Sequence, residues 1–156
     1  MGLDQNSTQL LIATIPEGLR GIHKRMRDVV GGLDRDALNW KPHPDANSIA
    51  VLITHTLESE REMLGAVRGV MVPRSRPSEF LVHKEPGELL EMLDRAGAWL
   101  VEQTNGISGA DLLALRPRGE DPPQPGLNWL LTNYGHAREH LAHMELTRQL
   151  SDTRKS

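Results

Sequence analysis

The 156-residue chain contains no cysteine. It therefore has no disulfide framework, no thiolate metal ligand and no cysteine nucleophile, which suits a reducing compartment; any thiol used in its chemistry has to be a cosubstrate. An excess of positive charge is also missing. The 18 Lys and Arg stand against 21 Asp and Glu, a net charge of −3, without the basic surplus that binding to a phosphate backbone draws on. No nucleic-acid partner is expected. Long apolar runs are absent near the start: Leu10 to Ala13 is short, and Asp4 rather than a basic cluster precedes it. Neither a signal peptide nor a membrane span is expected, and Asn6 stands where a myristoylation site has Ser or Thr. These absences point to a soluble, cytoplasmic protein with no membrane partner.

What is present reads as one globular domain over residues 1–156, with 38% hydrophobic and 25% charged residues. Helical periodicity dominates and almost no alternating pattern appears. Leu19, Ile22, Met26, Val29 and Leu33 recur at spacings of three and four until Gly31-Gly32. Pro16 either follows a Thr14 cap with Glu17 completing a capping box, or kinks a longer helix begun near Leu3; the longer helix is preferred. A loop from Asn39 to Ala46 leads to a second helix from about Asn47 or Ser48 to Arg68, stopped by Gly69 and Pro73. Met71 to Glu85 reads as a connection. A third helix follows Pro86, with Leu89, Leu90, Leu93, Gly97, Leu100 and Val101 on one stripe and Asn105-Gly106 as its stop. Another short turn can begin at Ser108. Arg116 to Gly126, with four prolines, is the longest break, and a last helix runs from about Leu127 to Leu150. Four long amphipathic helices predict an all-α four-helix bundle.

Seven histidines occur, at 23, 43, 55, 83, 136, 140 and 143. His136 and His140, four apart on a helix, lie on one face about 6 Å apart and can meet at one ion. On a helical wheel Arg148, Glu145 and Arg138 fall about 120–200° from His136, while His140 falls at about 40° with Trp129, Asn133, His143, Met144 and Thr147. The pair therefore faces inward. Leu127, Leu130, Leu131 and Tyr134 occupy the opposite arc of the first two turns, which predicts a covering partner and hence a homodimer. On the second helix Glu60, Arg61, Leu64 and Arg68 lie about 140–240° from His55, whereas Val51, Leu52, Ser59, Met63 and Ala66 lie within about 80° of it. His55 also faces inward. Glu58 and Glu62 share its side, an odd place for carboxylates unless they bind a metal, orient a ligand or border an open cleft.

His55, His136 and His140 thus form a candidate divalent-metal site for zinc, nickel, iron or manganese. Three protein ligands with further positions open is a catalytic pattern, since structural zinc sites close all four. The bland reading makes these histidines hydrogen-bonded core residues. His23, His43 and His83 read most simply as surface or loop residues, and Trp40, Trp99 and Trp129 as core anchors, with Trp129 also able to line a pocket. His136-Ala137-Arg138-Glu139-His140 additionally matches H-x-x-E-H, in which Glu139 would be the base of a metallohydrolase. That motif needs a further ligand, and Glu145 is the only glutamate after His140.

These residues resemble the DinB/YfiT-like family of metal-dependent helical-bundle proteins, to which bacterial thiol-dependent S-transferases also belong. The resemblance spans nearly the whole chain. It rests on Leu38-Asn39-Trp40-Lys41-Pro42, on Asn47-Ser48-Ile49-Ala50 running into His55, and on His136-x3-His140-Leu141-Ala142-His143. The family's metal histidines fall on His55, His136 and His140. Where the family often has Gly-Gln after the last ligand, this chain has Ala142 and His143. The resemblance implies a four-helix bundle, often dimeric, with a divalent metal. It also implies a thiol-dependent S-transferase in which a low-molecular-weight thiol attacks a small-molecule electrophile. Glu58, Glu62, Asn133 and His143 are then candidates for orienting ligands or substrate. A non-catalytic metal- or ligand-binding helical dimer is the alternative.

Overall fold

In the computed structural model, which describes residues 3–154, the first helix starts where its orphan amides find an acceptor. The Asp4 carboxylate accepts from the Ser7 amide at 2.8 Å, and α1 runs Gln5–Val30 with Pro16 in its interior. The long first helix is therefore present, starting two residues after Leu3. A short α2 (Arg35–Asn39) is capped by Asp34. Ser48 Oγ accepts from Val51 N at 3.2 Å and starts α3 (Ile49–Arg68), which ends at Gly69 in the left-handed conformation, φ 70°. A short α4 (Arg76–Glu79) interrupts the expected connection. Pro86 occupies the first turn of α5 (Pro86–Thr104), where its missing N–H costs nothing, and Glu85 with Glu88 forms a capping box. Then come α6 (Gly109–Leu113) and α7 (Gly126–Arg154).

The expected break at 116–126 is corrected by the structure. It folds into an antiparallel ribbon of β1 (Leu115–Arg118) and β2 (Asp121–Pro125). A two-stranded ribbon has only edges, so prolines can direct their missing donors outward and no alternating apolar pattern is required. Trp129 Nε1 donates to Arg116 O at 2.8 Å and ties the ribbon to α7.

The four long helices stand at the corners of a bundle. α3 packs against α5 and α7, and α1 packs against the same two, so α1 and α3 occupy opposite corners. Leu19, Met26, Ile53, Leu64, Leu100 and Met144 are fully buried between them. No helix among the described residues is long and apolar enough to cross a membrane.

Three expectations from the sequence are corrected. Glu60 and Leu64, placed on the outer arc of α3, are buried, because α3 has neighbours on more than one side. His23, expected at the surface, is buried on α1, and its Nε2 lies 3.0 Å from Glu60 Oε2 across the bundle diagonal. On α7 the supposed outer face is largely internal. Leu130 is 0% exposed, and Tyr134 lies against α1, where a Cβ at Gly18 would meet its Cε2 at 2.6 Å. The contact face expected for a homodimer shrinks to Leu131, 49% exposed, and a half-buried Leu127. Urea unfolding should therefore separate the neighbours: Leu130→Ala is expected to cost about 2–5 kcal/mol, whereas Leu131→Ala should stay within about 0.5 kcal/mol of the parent. Equal costs would contradict this packing.

Candidate metal centre

Helices α3 and α7 pack face to face, and that packing joins the histidines that lie far apart in sequence. His136 Nε2 is 3.2 Å from His55 Nε2 and 3.1 Å from His140 Nε2. The ring centroids of the three pairs are 4.4–5.1 Å apart. His55 is buried, and His136 and His140 are partly so. The three ring nitrogens lie close enough together to hold one ion.

Hydrogen bonding among the rings alone leaves this arrangement unsatisfied. A single Nε2–H cannot serve two neighbours well, and the Nδ1 atoms of His136 and His140 are buried without partners. Three ring nitrogens gathered within 4.8 Å of one another suit a cation. The spacing fits as well, because a tetrahedron with arms of roughly 2.0–2.1 Å has edges of about 3.3 Å.

Electrostatics keep the rings neutral, the form that binds a metal. Burial, then His140 and His55, then Arg118 and Arg74, push His136 down to about 3 from the ordinary 6.5. Burial also lowers His140, with His55 and His143 adding to the effect against Glu139. For His55 burial outweighs the upward pull of Glu79, and Arg74 and Arg76 push in the same direction as burial.

Behind His55 stands a group that sequence reasoning missed. Glu79, the buried last residue of α4, has Oε2 at 2.8 Å from His55 Nδ1. Arg74 Nη2 lies 3.3 Å from the same nitrogen. A carboxylate can only accept, and its contact is the shorter, so Nδ1 carries the hydrogen and Nε2 keeps its lone pair for a ligand. Arg74 reaches Glu79 at 2.7 and 2.9 Å and Glu62 at 2.9 Å. Arg118 Nε, from β1, also donates to Glu62 at 2.9 Å. Burial raises the Glu62 carboxyl, but the two arginines outweigh it and hold the group below the usual range. Phe80 places its ring 5.0 Å from that of His55. The only sequence signal for this support is an Arg and a Glu in a proline-bounded segment that otherwise reads as a connection.

The other candidates separate. Glu62 joins the network. Glu58 instead pairs with Arg61 at 2.9 Å. Asn133 is fully buried with both amide atoms unpartnered, and no hydrogen bond links it to the three rings. His143 is exposed, its ring 5.8 Å from that of His140. Glu139 is exposed, and Glu145 bonds Arg25 at 2.5 Å, so the H-x-x-E-H reading finds its third nitrogen in His55 and no downstream glutamate. Trp129 serves as an anchor for the ribbon, with Arg118 over its ring at 5.7 Å. His55 and His136 open on a cavity of about 440 Å³ bordered by Ser59, Met63, Arg118 and Thr132.

A family model described as the DinB superfamily matches residues 19–144. Among solved structures, a conserved protein from Enterococcus faecalis is similar with a TM-score of 0.75 at 18% identity, covering 89% of this chain and 95% of that one. A DinB-like protein from Bacillus cereus ATCC 10987 is similar with a TM-score of 0.71 at 12% identity, covering 86% and 89%. At these identities the likeness is one of fold. Nothing among curated proteins matches the sequence.

The lowered histidines set a pH dependence. Unfolded histidines take up protons near 6.5, whereas folded His136 does so at about 3. Between those values the unfolded chain binds more protons, so stability falls as pH drops through that window. Denaturation midpoints of chelator-treated protein should decline from about pH 7 to about pH 4.5, before most carboxylates titrate. His136→Ala should flatten that decline; a variant profile as steep as the parent's would refute the assignment.

Proposed function

The chain belongs to the DinB superfamily, and on that footing we propose that it is a metal-dependent enzyme whose single divalent cation is held by His55, His136 and His140. The observation that carries this reading is the convergence of three neutral imidazole nitrogens, 3.1–3.2 Å apart along His55–His136–His140, beside an open cavity. A structural site would close every coordination position with protein ligands, whereas three ligands leave room for substrate. Three imidazoles suit zinc, nickel, iron or manganese alike. A bound divalent ion would supply Lewis acidity, favouring the deprotonated form of a coordinated thiol or water.

The chain's own residues do the positioning. Glu79 holds the His55 hydrogen on Nδ1, and Arg74 holds Glu79. Arg118 and Ser59 stand on the cavity wall where a substrate would enter, their Nη2 and Oγ atoms 3.5 Å apart. With no cysteine in the chain, we take the nucleophile to be a low-molecular-weight thiol. Its sulfur would bond to the electrophilic carbon as that carbon's bond to the leaving group breaks, the leaving group departing with the electron pair and the thiol proton passing to solvent or to the leaving group. The family resemblance and the missing cysteine support this thiol-transfer reading.

Elemental analysis of untreated protein should find about one divalent metal per chain, falling below about a tenth of that in His136→Ala or His140→Ala. Glu79→Gln should bind the metal about 10–100-fold more weakly. Full occupancy in the histidine variants would refute the site.

Turnover of a panel of thiols with 1-chloro-2,4-dinitrobenzene tests the chemistry. Activity should vanish on chelation and in His140→Ala, yet survive Ser59→Ala within about tenfold, since that hydroxyl has no base of its own. Hydrolysis without thiol, abolished by Glu139→Gln, would defeat transfer and favour the H-x-x-E-H reading. Fully metal-loaded protein without turnover would favour a binding role.

A further inference from the structure

Glu79 adjoins both the histidine cluster and a separate cavity. Its carboxylate supports His55 at the metal centre, and the same residue lines a larger cavity of about 570 Å³ that no histidine enters. This second cavity lies between α3, α5 and the segment that carries α4. We propose that it binds a small organic anion with a flat apolar body.

Its walls supply the apolar part. Met92, Ala96 and Trp99 recur at spacings of four and three on one face of α5, opposite Leu57 of α3. A volume of this size suits a small-molecule ligand, for which apolar walls with a few polar groups are the usual design.

Charge selects the sign of the ligand. Each acid on the wall already has a close cationic or histidine partner: Glu58 has Arg61 at 2.9 Å, Glu60 has His23 at 3.0 Å, and Glu79 has Arg74 at 2.7 Å. The cations Lys84 and Arg95 have only glutamates on the protein surface, Glu88 at 3.3 Å and Glu91 at 4.0 Å. The Arg95 pair is exposed and the Lys84 side chain half-buried, and pairs open to solvent are easily exchanged for another anion.

Fluorescence titration of the metal-loaded full chain with 8-anilinonaphthalene-1-sulfonate tests the site. One probe per chain is expected, and the uncharged N-phenyl-1-naphthylamine should bind at least about tenfold more weakly. Arg95→Glu and Lys84→Glu should each weaken the sulfonate at least about tenfold; Arg95 is 71% exposed, so its replacement leaves the fold in place. His136→Ala, whose side chain does not line this cavity, should hold the affinity within about twofold. Charge reversals without effect, or equal binding of the neutral probe, would overturn the proposal. Loss of binding in His136→Ala would put the probe in the metal cavity and overturn it as well. None of these outcomes depends on whether the metal centre is catalytic.

Discussion

The carboxylate of Glu79 is shared by the ring of His55 and two guanidinium nitrogens of Arg74, and most of the site is organised around it. Removing water from a carboxylate and a guanidinium is costly, and the cost is recovered only when the geometry leaves few donors or acceptors unused. Here Arg74, 6% exposed, donates to both Glu79 and Glu62, and Arg118 approaches Glu62 from the ribbon. Loss of any one member would leave a charge in a dry place. The orientation of His55, the position of the α4 segment and the seating of the β1–β2 ribbon are therefore linked through one network.

A second polar pair crosses the middle of the bundle. His23 on α1 and Glu60 on α3 join opposite corners, yet His23 Nδ1 and Glu60 Oε1 remain without partners, as do both amide atoms of Asn133 on α7. An apolar core tolerates many relative rotations of its helices, whereas a buried hydrogen bond across the diagonal tolerates few. The pair therefore sets the register of α1 against α3, which positions α3 and, with it, His55. Polarity inside the bundle also explains why α7 shows little amphipathic contrast: its inward face carries Asn133, His136, His140 and Thr147 among the apolar residues.

The two cavities have different chemistry because they sit on different sides of the α4 segment. One combines imidazole nitrogens and two hydroxyls with Arg74 and Arg118, which are already engaged with carboxylates. The other combines an apolar wall with loosely partnered cations. Glu79 supports His55, which lines the first cavity, and itself lines the second, so its placement affects the histidine cluster and the second wall together.

Local chemistry was legible in the sequence. Ser48 and Gly69 bound α3 because a hydroxyl satisfies orphan amides and glycine alone enters the left-handed conformation freely; Pro86 starts α5 for a reason equally local. The convergence of His55 with His136 and His140 was legible too, since two helices each place histidine opposite their charged residues. Other features depended on neighbours that no local pattern reports. A helical wheel allows one buried arc, but α7 meets both α3 and α1, so Leu130 and Tyr134 turn inward although they lie opposite the histidines. His23 and Glu60 read as surface residues because the polar partner that each meets inside the bundle is the other, 37 positions away. Glu79 and Arg74 come from a segment without periodicity, and only the packing of that segment against α3 brings them behind His55. The sequence by itself determined where helices begin and end and which faces carry the histidines, because hydrogen-bond caps and residue spacing act over a few positions. The tertiary structure alone decided which charges are buried and what they hold in place, because burial depends on residues distant in the chain.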